Sequence, residues 1–154
     1  MASPYPHSMG LTLPASETAS IKARQLTYYA LMSWGLGRLY SDARIIVTAL
    51  VDNTIKAVTL HESVSSEIGL RLRATGRSLM IEVEDPLAEW LPRRIDEAME
   101  LRFISVLSDD WDIRPSTTGK IVWATLSDEP PTYLSGAPWP ASGEPWQERK
   151  RGTG

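Results

Sequence analysis

Two alternating segments joined by a short turn constrain the fold of this chain more than any other feature. Segments 68–74 and 79–85 each place an apolar residue at every second position, and the second segment ends on Asp85. Residues 75–78, with the sequence TGRS, have the chemistry of a tight turn. Alternation turns one face of each strand toward a core. We therefore predict a β-hairpin whose apolar face ends in a carboxylate.

A helical segment, 41–58, carries an amide on its apolar stripe. Ile46, Ala49, Leu50, Asn53 and Ala57 recur at helical spacing and share one face. A buried amide without hydrogen-bond partners costs on the order of a few kcal/mol. An Asn on this face therefore predicts a site that holds a polar ligand, a metal ion or backbone. A helix residue satisfied by its own backbone is the alternative that the pattern leaves open.

The other predicted elements follow from their own periodicity and end signals. They are an edge strand at 11–13, a first helix that begins near Ser16 or Ser20 and ends before Gly35, a helix at 97–110 and a last strand at 120–126. Together these elements predict an α+β fold, a two-layer α/β sandwich with a mixed sheet of four or five strands and the helices on one face.

Composition divides the chain into three parts. We expect a flexible N-terminus at 1–10, a single folded domain at 11–126, and a Pro- and Gly-rich tail at 127–154 that cannot bury enough apolar surface to fold alone. The tail also contains Trp139 and Trp146, which is unusual for a solvated extension. Docking of these side chains, on a partner or on the domain itself, is the alternative to disorder.

Charge and cysteine content exclude several classes of function. The 154 residues carry a formal charge of -3 and include no cysteine, which excludes disulfides, thiolate catalysis and cysteine-based metal centres. The mild negative charge does not favour nucleic acid, and no apolar stretch is long enough to span a bilayer. No Ser, His and Asp arrangement suggests a hydrolytic triad. We expect a cytoplasmic protein without direct nucleic-acid or membrane contact.

Several dispersed segments together resemble a known family in order and spacing. They are Leu13-Pro14, the helix end 33–36, the Asn53 helix, the hairpin end Asp85-Pro86, and the closing stretches 111–115 and 119–123. This pattern resembles the GHKL ATPase superfamily, and within it the branch of anti-sigma factors and serine-protein kinases, especially the small stand-alone actinobacterial ATP-binding regulators. The resemblance spans nearly the whole predicted domain.

The resemblance implies a site for ATP or ADP with magnesium. Asn53 would help to coordinate the Mg²⁺ that bridges the phosphates, and Asp85 would accept a hydrogen bond from the adenine amino group. Lys56 matches a basic position that would meet phosphate, although a solvent-facing lysine is the commoner case. Ile121 stands where the family has a threonine beside the adenine, and Thr118 lies nearby.

The chain departs from the family at positions that the resemblance makes catalytic. Ala49 replaces the acidic residue expected four positions before the Asn, so the resemblance implies that the general base is missing. The stretch between Gly76 and Gly119 contains no glycine, whereas the family closes its pocket with a glycine-rich lid. We expect the lid equivalent, 87–96, to be ordered without nucleotide, with Trp90 or Leu91 filling the pocket.

Three functions are consistent with these observations. The first is a regulatory protein that resembles anti-sigma factors and binds a sigma factor, an antagonist or a transcription regulator, with weak or lost ATP binding. The alternative is an active ATP-dependent serine/threonine protein kinase of an anti-sigma antagonist. The third is a purely structural dimerisation module within a larger regulatory assembly. The resemblance also implies a possible homodimer, because related proteins often form one.

Overall fold

The computed structural model describes residues 6–60, 67–86 and 99–128, which form an α+β fold. The elements are β1 (His7–Pro14), α1 (Ala19–Ser33), a 3-10 turn (Gly37–Leu39), α2 (Tyr40–Leu60), β2 (Glu67–Thr75), β3 (Ser78–Asp85), α3 (Met99–Leu107), β4 (Asp110–Pro115) and β5 (Lys120–Ser127). The predicted lid at 87–96, with Trp90 and Leu91, and the tail from 129 onward lie outside the described residues.

The predicted hairpin is confirmed by strand pairing. β2 and β3 pair antiparallel, with Leu70 opposite Val83 and Leu72 opposite Ile81. The turn between them uses Gly76 with φ +57°, a backbone conformation that side chains disfavour and glycine adopts readily. The alternation of the two segments therefore gave both the strands and their inward faces correctly.

The sheet has five strands in the order β1-β2-β3-β5-β4, and every neighbouring pair is antiparallel. The prediction of a mixed sheet is wrong. Lys120, at the start of β5, lies opposite both Asp85 and Pro115, the last residues of β3 and β4. β3 and β4 therefore run in the same direction and finish level with each other. They do not become a parallel pair because β5 returns between them and separates them.

One face of the sheet forms the core with the helices. α1 contacts β1 and β2, α2 contacts β3 and β5, and α3 contacts α2 and β4. The largest fully buried side chains include Leu31, Ile46, Leu50, Leu72 and Ile81, which come from two helices and two strands. The helices are therefore held on the sheet by apolar burial, the main favourable term in folding.

On the opposite face of the sheet, ion pairs link neighbouring strands. Glu82 on β3 is buried although no described helix covers this face, because arginines reach it from both sides. Arg73 Nε on β2 lies 3.0 Å from Glu82 Oε1, and Arg114 on β4 bonds the other carboxylate oxygen. This side of the sheet thus combines backbone pairing with an ionic network that spans the three central strands and one edge.

Two strands differ from the sequence prediction. β1 begins at His7 rather than at residue 11, because pairing with β2 extends to Ala74. β4 has no counterpart in the sequence prediction, whose helix extends to residue 110, whereas the last helical bond is donated by the Ser108 amide to Ile104 O. The next amide, Asp109 N, donates to Thr125 O of the sheet. Both errors arise because backbone partners distant in sequence decide where a strand begins.

Gly119 stands where the loop before β5 crosses the end of β3. A Cβ placed on Gly119 would lie 1.8 Å from Asp85 O, far inside any tolerated contact. The neighbouring groups are backbone atoms of Asp85 and Pro86, so no flexible side chain can give way. This position therefore requires glycine because of a close backbone approach.

Replacement of Gly119 by alanine should lower the free energy of unfolding by about 2–3 kcal/mol, because the added methyl group must push two backbones apart. Gly69→Ala is the matched control, since its Cβ would lie 3.7 Å from Glu84 Cβ, an ordinary contact. The control should change stability by less than about 0.5 kcal/mol. Urea unfolding measures both, and equal stability of the two variants would contradict the close approach.

Candidate functional site

Asp85 occupies the last inward position of β3. It continues the row formed by Leu79, Ile81 and Val83, all of which are buried against the helices. In the register of β3 and β5, Asp85 lies opposite Lys120. The sequence prediction that the carboxylate ends an apolar face agrees with this position.

Lys120 is the partner of this carboxylate. Its Nζ donates to Asp85 Oδ1 and Oδ2, with both distances 2.9 Å. The side chains of Lys120 and Asp85 are only 3% and 1% exposed, so the ion pair is isolated from water. A pair this deeply buried is held by geometry, because the loss of either partner leaves an uncompensated charge in the interior.

Sequence reasoning missed Lys120, although a signal for it exists. On β5 the residue is in phase with Val122, Ala124 and Leu126, which are buried on the inward face. A lysine at the start of an inward-facing row requires an acidic partner. That partner could be named only once β5 was known to pair with β3, because the two residues are far apart in sequence.

Asn53 faces the same interior from the helical side. It is 7% exposed on α2, on the face that also carries Ile46, Leu50 and Ala57. Its side-chain amide makes no hydrogen bond with the described residues, but it is not among the fully buried polar atoms without a partner and therefore keeps contact with solvent. The predicted inward placement of both Asn53 and Asp85 agrees with the structure.

One fully buried polar atom lies unmatched on the sheet side of the interior. Trp111 on β4 is buried, and its Nε1 has no hydrogen-bond partner in the part of the chain that the structure describes. The indole stands opposite Ala124 on the inward side of the sheet. Among the described residues, no other fully buried side-chain nitrogen or oxygen lacks a partner.

The other two predicted binding residues lie away from the Asp85 carboxylate. Thr118 is exposed, and its hydroxyl is 3.1 Å from Glu84 Oε2, to which it donates. Because Glu84 alternates with Asp85 along β3, this contact is on the other face of the sheet. Lys56 is exposed on α2. The structure therefore turns Asn53 and Asp85 inward but does not bring Thr118 to them.

Ala49, at the position of the expected acid, lines a groove on the outer surface of the helices. The groove also includes Asp52, the nearest carboxylate on α2, and Phe103 of α3. Asp52 thus opens toward the outer groove, whereas Asn53, the next residue, is on the inward face. Asp52 is not placed to act on a group bound at Asn53.

The donor set does not fit an adenine nucleotide. The acceptor that an adenine amino group would need is the Asp85 carboxylate, and a buried ammonium engages both of its oxygens. For magnesium, the described residues contain no group of three or more His, Asp or Glu side chains that could hold a metal ion. Asn53 alone supplies a single neutral oxygen, a weak ligand set for a cation that prefers several oxygens.

Comparison with known proteins adds no family assignment. No protein-family model matches the chain, and no curated protein sequence matches it. Among the helices in the described parts of the chain, none is both long and apolar enough to cross a membrane.

Replacement of Lys120 by methionine should destabilise the protein by about 3–5 kcal/mol, because Asp85 is then a buried charge without a counter-ion. Adding Asp85→Asn to Lys120→Met removes that charge and should recover most of the loss. Chemical unfolding of the two single variants and the double variant gives the coupling energy. Additive effects of the two substitutions would show that the pair is not coupled.

Proposed function

We propose that this protein is a regulator that acts by binding another protein, and that its nucleotide binding is weak or lost. The observation that carries the proposal is the Asp85–Lys120 pair. In a GHKL-like site the corresponding carboxylate would receive the adenine amino group, and here Lys120 Nζ takes that role. Adenine binding would require breaking a buried ion pair without a replacement for the ammonium.

The distribution of exposed apolar side chains supports a protein partner. Seven large hydrophobic residues of the described chain are exposed, and all except Leu11 lie on helices: Ile21, Tyr28, Tyr29, Met32, Phe103 and Val106. Apolar groups concentrated on one surface favour protein interaction, whereas scattered ones carry no meaning. On the other surface, formed by the sheet, Met80, Ile121 and Trp123 are half-buried, and Glu82 is bound by Arg73 and Arg114.

The resemblance stated above supplies the finer parts of the proposal. A GHKL-type two-layer sandwich is compatible with helices on one face of a five-stranded sheet, although the strands here are antiparallel. On that basis the partner is a sigma factor, an antagonist or a transcription regulator in the cytoplasm. Formation of a homodimer belongs to the same proposal.

The active kinase is the second candidate, and one observation favours it. Asn53 is buried on the inward face of α2. That placement is the one that the resemblance implies for a residue that would coordinate Mg²⁺. Ala49 weighs against the kinase, because an alanine methyl cannot orient or deprotonate an attacking hydroxyl.

We expect the purified protein to show no saturable binding of Mg-ATP or Mg-ADP by calorimetry up to about millimolar concentration. Neither nucleotide should raise the midpoint temperature of thermal unfolding. A nucleotide that did bind, at 100 times its Kd, would add about 2.7 kcal/mol of stability and would raise that temperature. Transfer of labelled phosphate to protein should also be absent. Saturable binding that is abolished by Asn53→Ala, or label transfer with the same dependence, would instead establish the kinase.

A further inference from the structure

The outer surface of the helices contains a groove of about 440 Å³ above α2. Its floor is formed by α2, through Ile45, Thr48 and Ala49. α1 supplies Arg24 on one side, and α3 supplies Phe103 on the other. Since α2 contacts both α1 and α3, the groove follows the central helix between its two neighbours.

The α3 side of the groove is apolar and open to solvent. Phe103 is 53% exposed, and Val106, one helical turn further along, is 78% exposed. Ile45 and Ala49 extend the apolar lining across the floor. An exposed aromatic ring beside a concave apolar floor is the arrangement in which a partner side chain gains most from burial.

The α1 side of the groove is basic and partly fixed. Arg24 Nη1 donates to Thr48 Oγ1 at 3.1 Å, and the Thr48 hydroxyl donates to Arg44 O at 2.7 Å. The guanidinium of Arg24 is therefore anchored across the groove before any ligand arrives, which lowers the entropy lost on binding. Arg44 is exposed beside it and pairs with no acidic side chain of the described chain.

The wider charge distribution has the same sign as this rim. α1, α2, α3 and the 3-10 turn together contain six Lys or Arg residues and three Asp or Glu residues. The whole chain has a formal charge of -3, so the helices carry a positive charge in an otherwise acidic protein. Such a field attracts acidic ligands and increases their association rate.

We propose that this groove binds an acidic amphipathic helix of a protein partner. Apolar side chains of that helix, three or four residues apart, enter the groove over Ala49 and against Phe103. Carboxylates on its flank pair with Arg24 and Arg44. The inference rests on the proposed function, since it names the kind of partner that the regulator takes.

A helix fits these observations better than an anionic membrane does. A bilayer surface requires a convex or flat apolar patch with cations around it, whereas this site is concave. Asp52 also lines the groove and has no ion-pair partner among the described residues. Its carboxylate repels lipid phosphates and peptide carboxylates alike, but a peptide can present a hydrogen-bond donor at that one position, whereas an anionic bilayer presents negative charge over its whole surface.

The test uses a fluorescein-labelled helical peptide of about 18 residues, with leucine at every third or fourth position and glutamate on both flanks. Binding to the full chain is followed by anisotropy. Phe103→Ala and Arg44→Glu should each raise the Kd about tenfold. Tyr29→Ala and Arg38→Glu are matched controls, because both residues are exposed on helical elements outside the groove. The controls should change the Kd less than about twofold.

Other results would contradict the proposal that the groove binds an acidic helix. Equal affinity of the parent and both groove variants, with intact folding by circular dichroism, would place the peptide elsewhere. Absence of peptide binding, or equal binding of a peptide with lysine in place of each glutamate, would reject the partner chemistry. Vesicles of phosphatidylserine and phosphatidylcholine that bind through the same residues would assign a membrane instead. These outcomes are distinct from failure of the proposed function, which the nucleotide titration reveals.

Discussion

The buried pair between Asp85 and Lys120 is the interaction on which the arrangement of this protein depends. It joins the end of β3 to the start of β5, at the point where Gly119 crosses the backbone of β3. A slip of one residue by either strand would turn its charge to the opposite face, away from its partner, and would move the apolar residues of that strand out of the core. Removal of one partner alone would leave a charge in the interior. The pair therefore ties the register of the central strands to the electrostatics of the candidate site.

The sheet surface and the helical surface of the protein differ in how far their charges are paired within the chain. On the sheet side, Glu82 is held between Arg73 and Arg114, so the charges of that face are largely matched within the protein. On the helical side, exposed apolar groups lie near Arg24 and Arg44, and neither of these arginines pairs with an acidic side chain of the described chain. Covering such a surface with a complementary molecule lowers the free energy of the system. Protein binding is thus proposed for the helices rather than for the sheet.

The central helix, α2, connects both parts of the proposal. Asn53 and Ala49 lie one turn apart on this helix, and both are buried. Ala49 belongs to the hydrophobic core and also reaches the floor of the outer groove. The same turn of α2 therefore borders both the interior and the groove.

The sequence by itself determined the elements whose signals are local. Alternation predicted the hairpin and the inward position of Asp85, and helical spacing predicted the burial of Asn53, because side-chain periodicity follows directly from backbone geometry. The antiparallel sheet, the extent of β1, the existence of β4 and the partner of Asp85 were decided by the tertiary structure. Each depends on backbone or side-chain partners far away in the chain. Local periodicity does not reveal which strands become neighbours. The groove belongs to the same class, since three helices must pack before its walls exist.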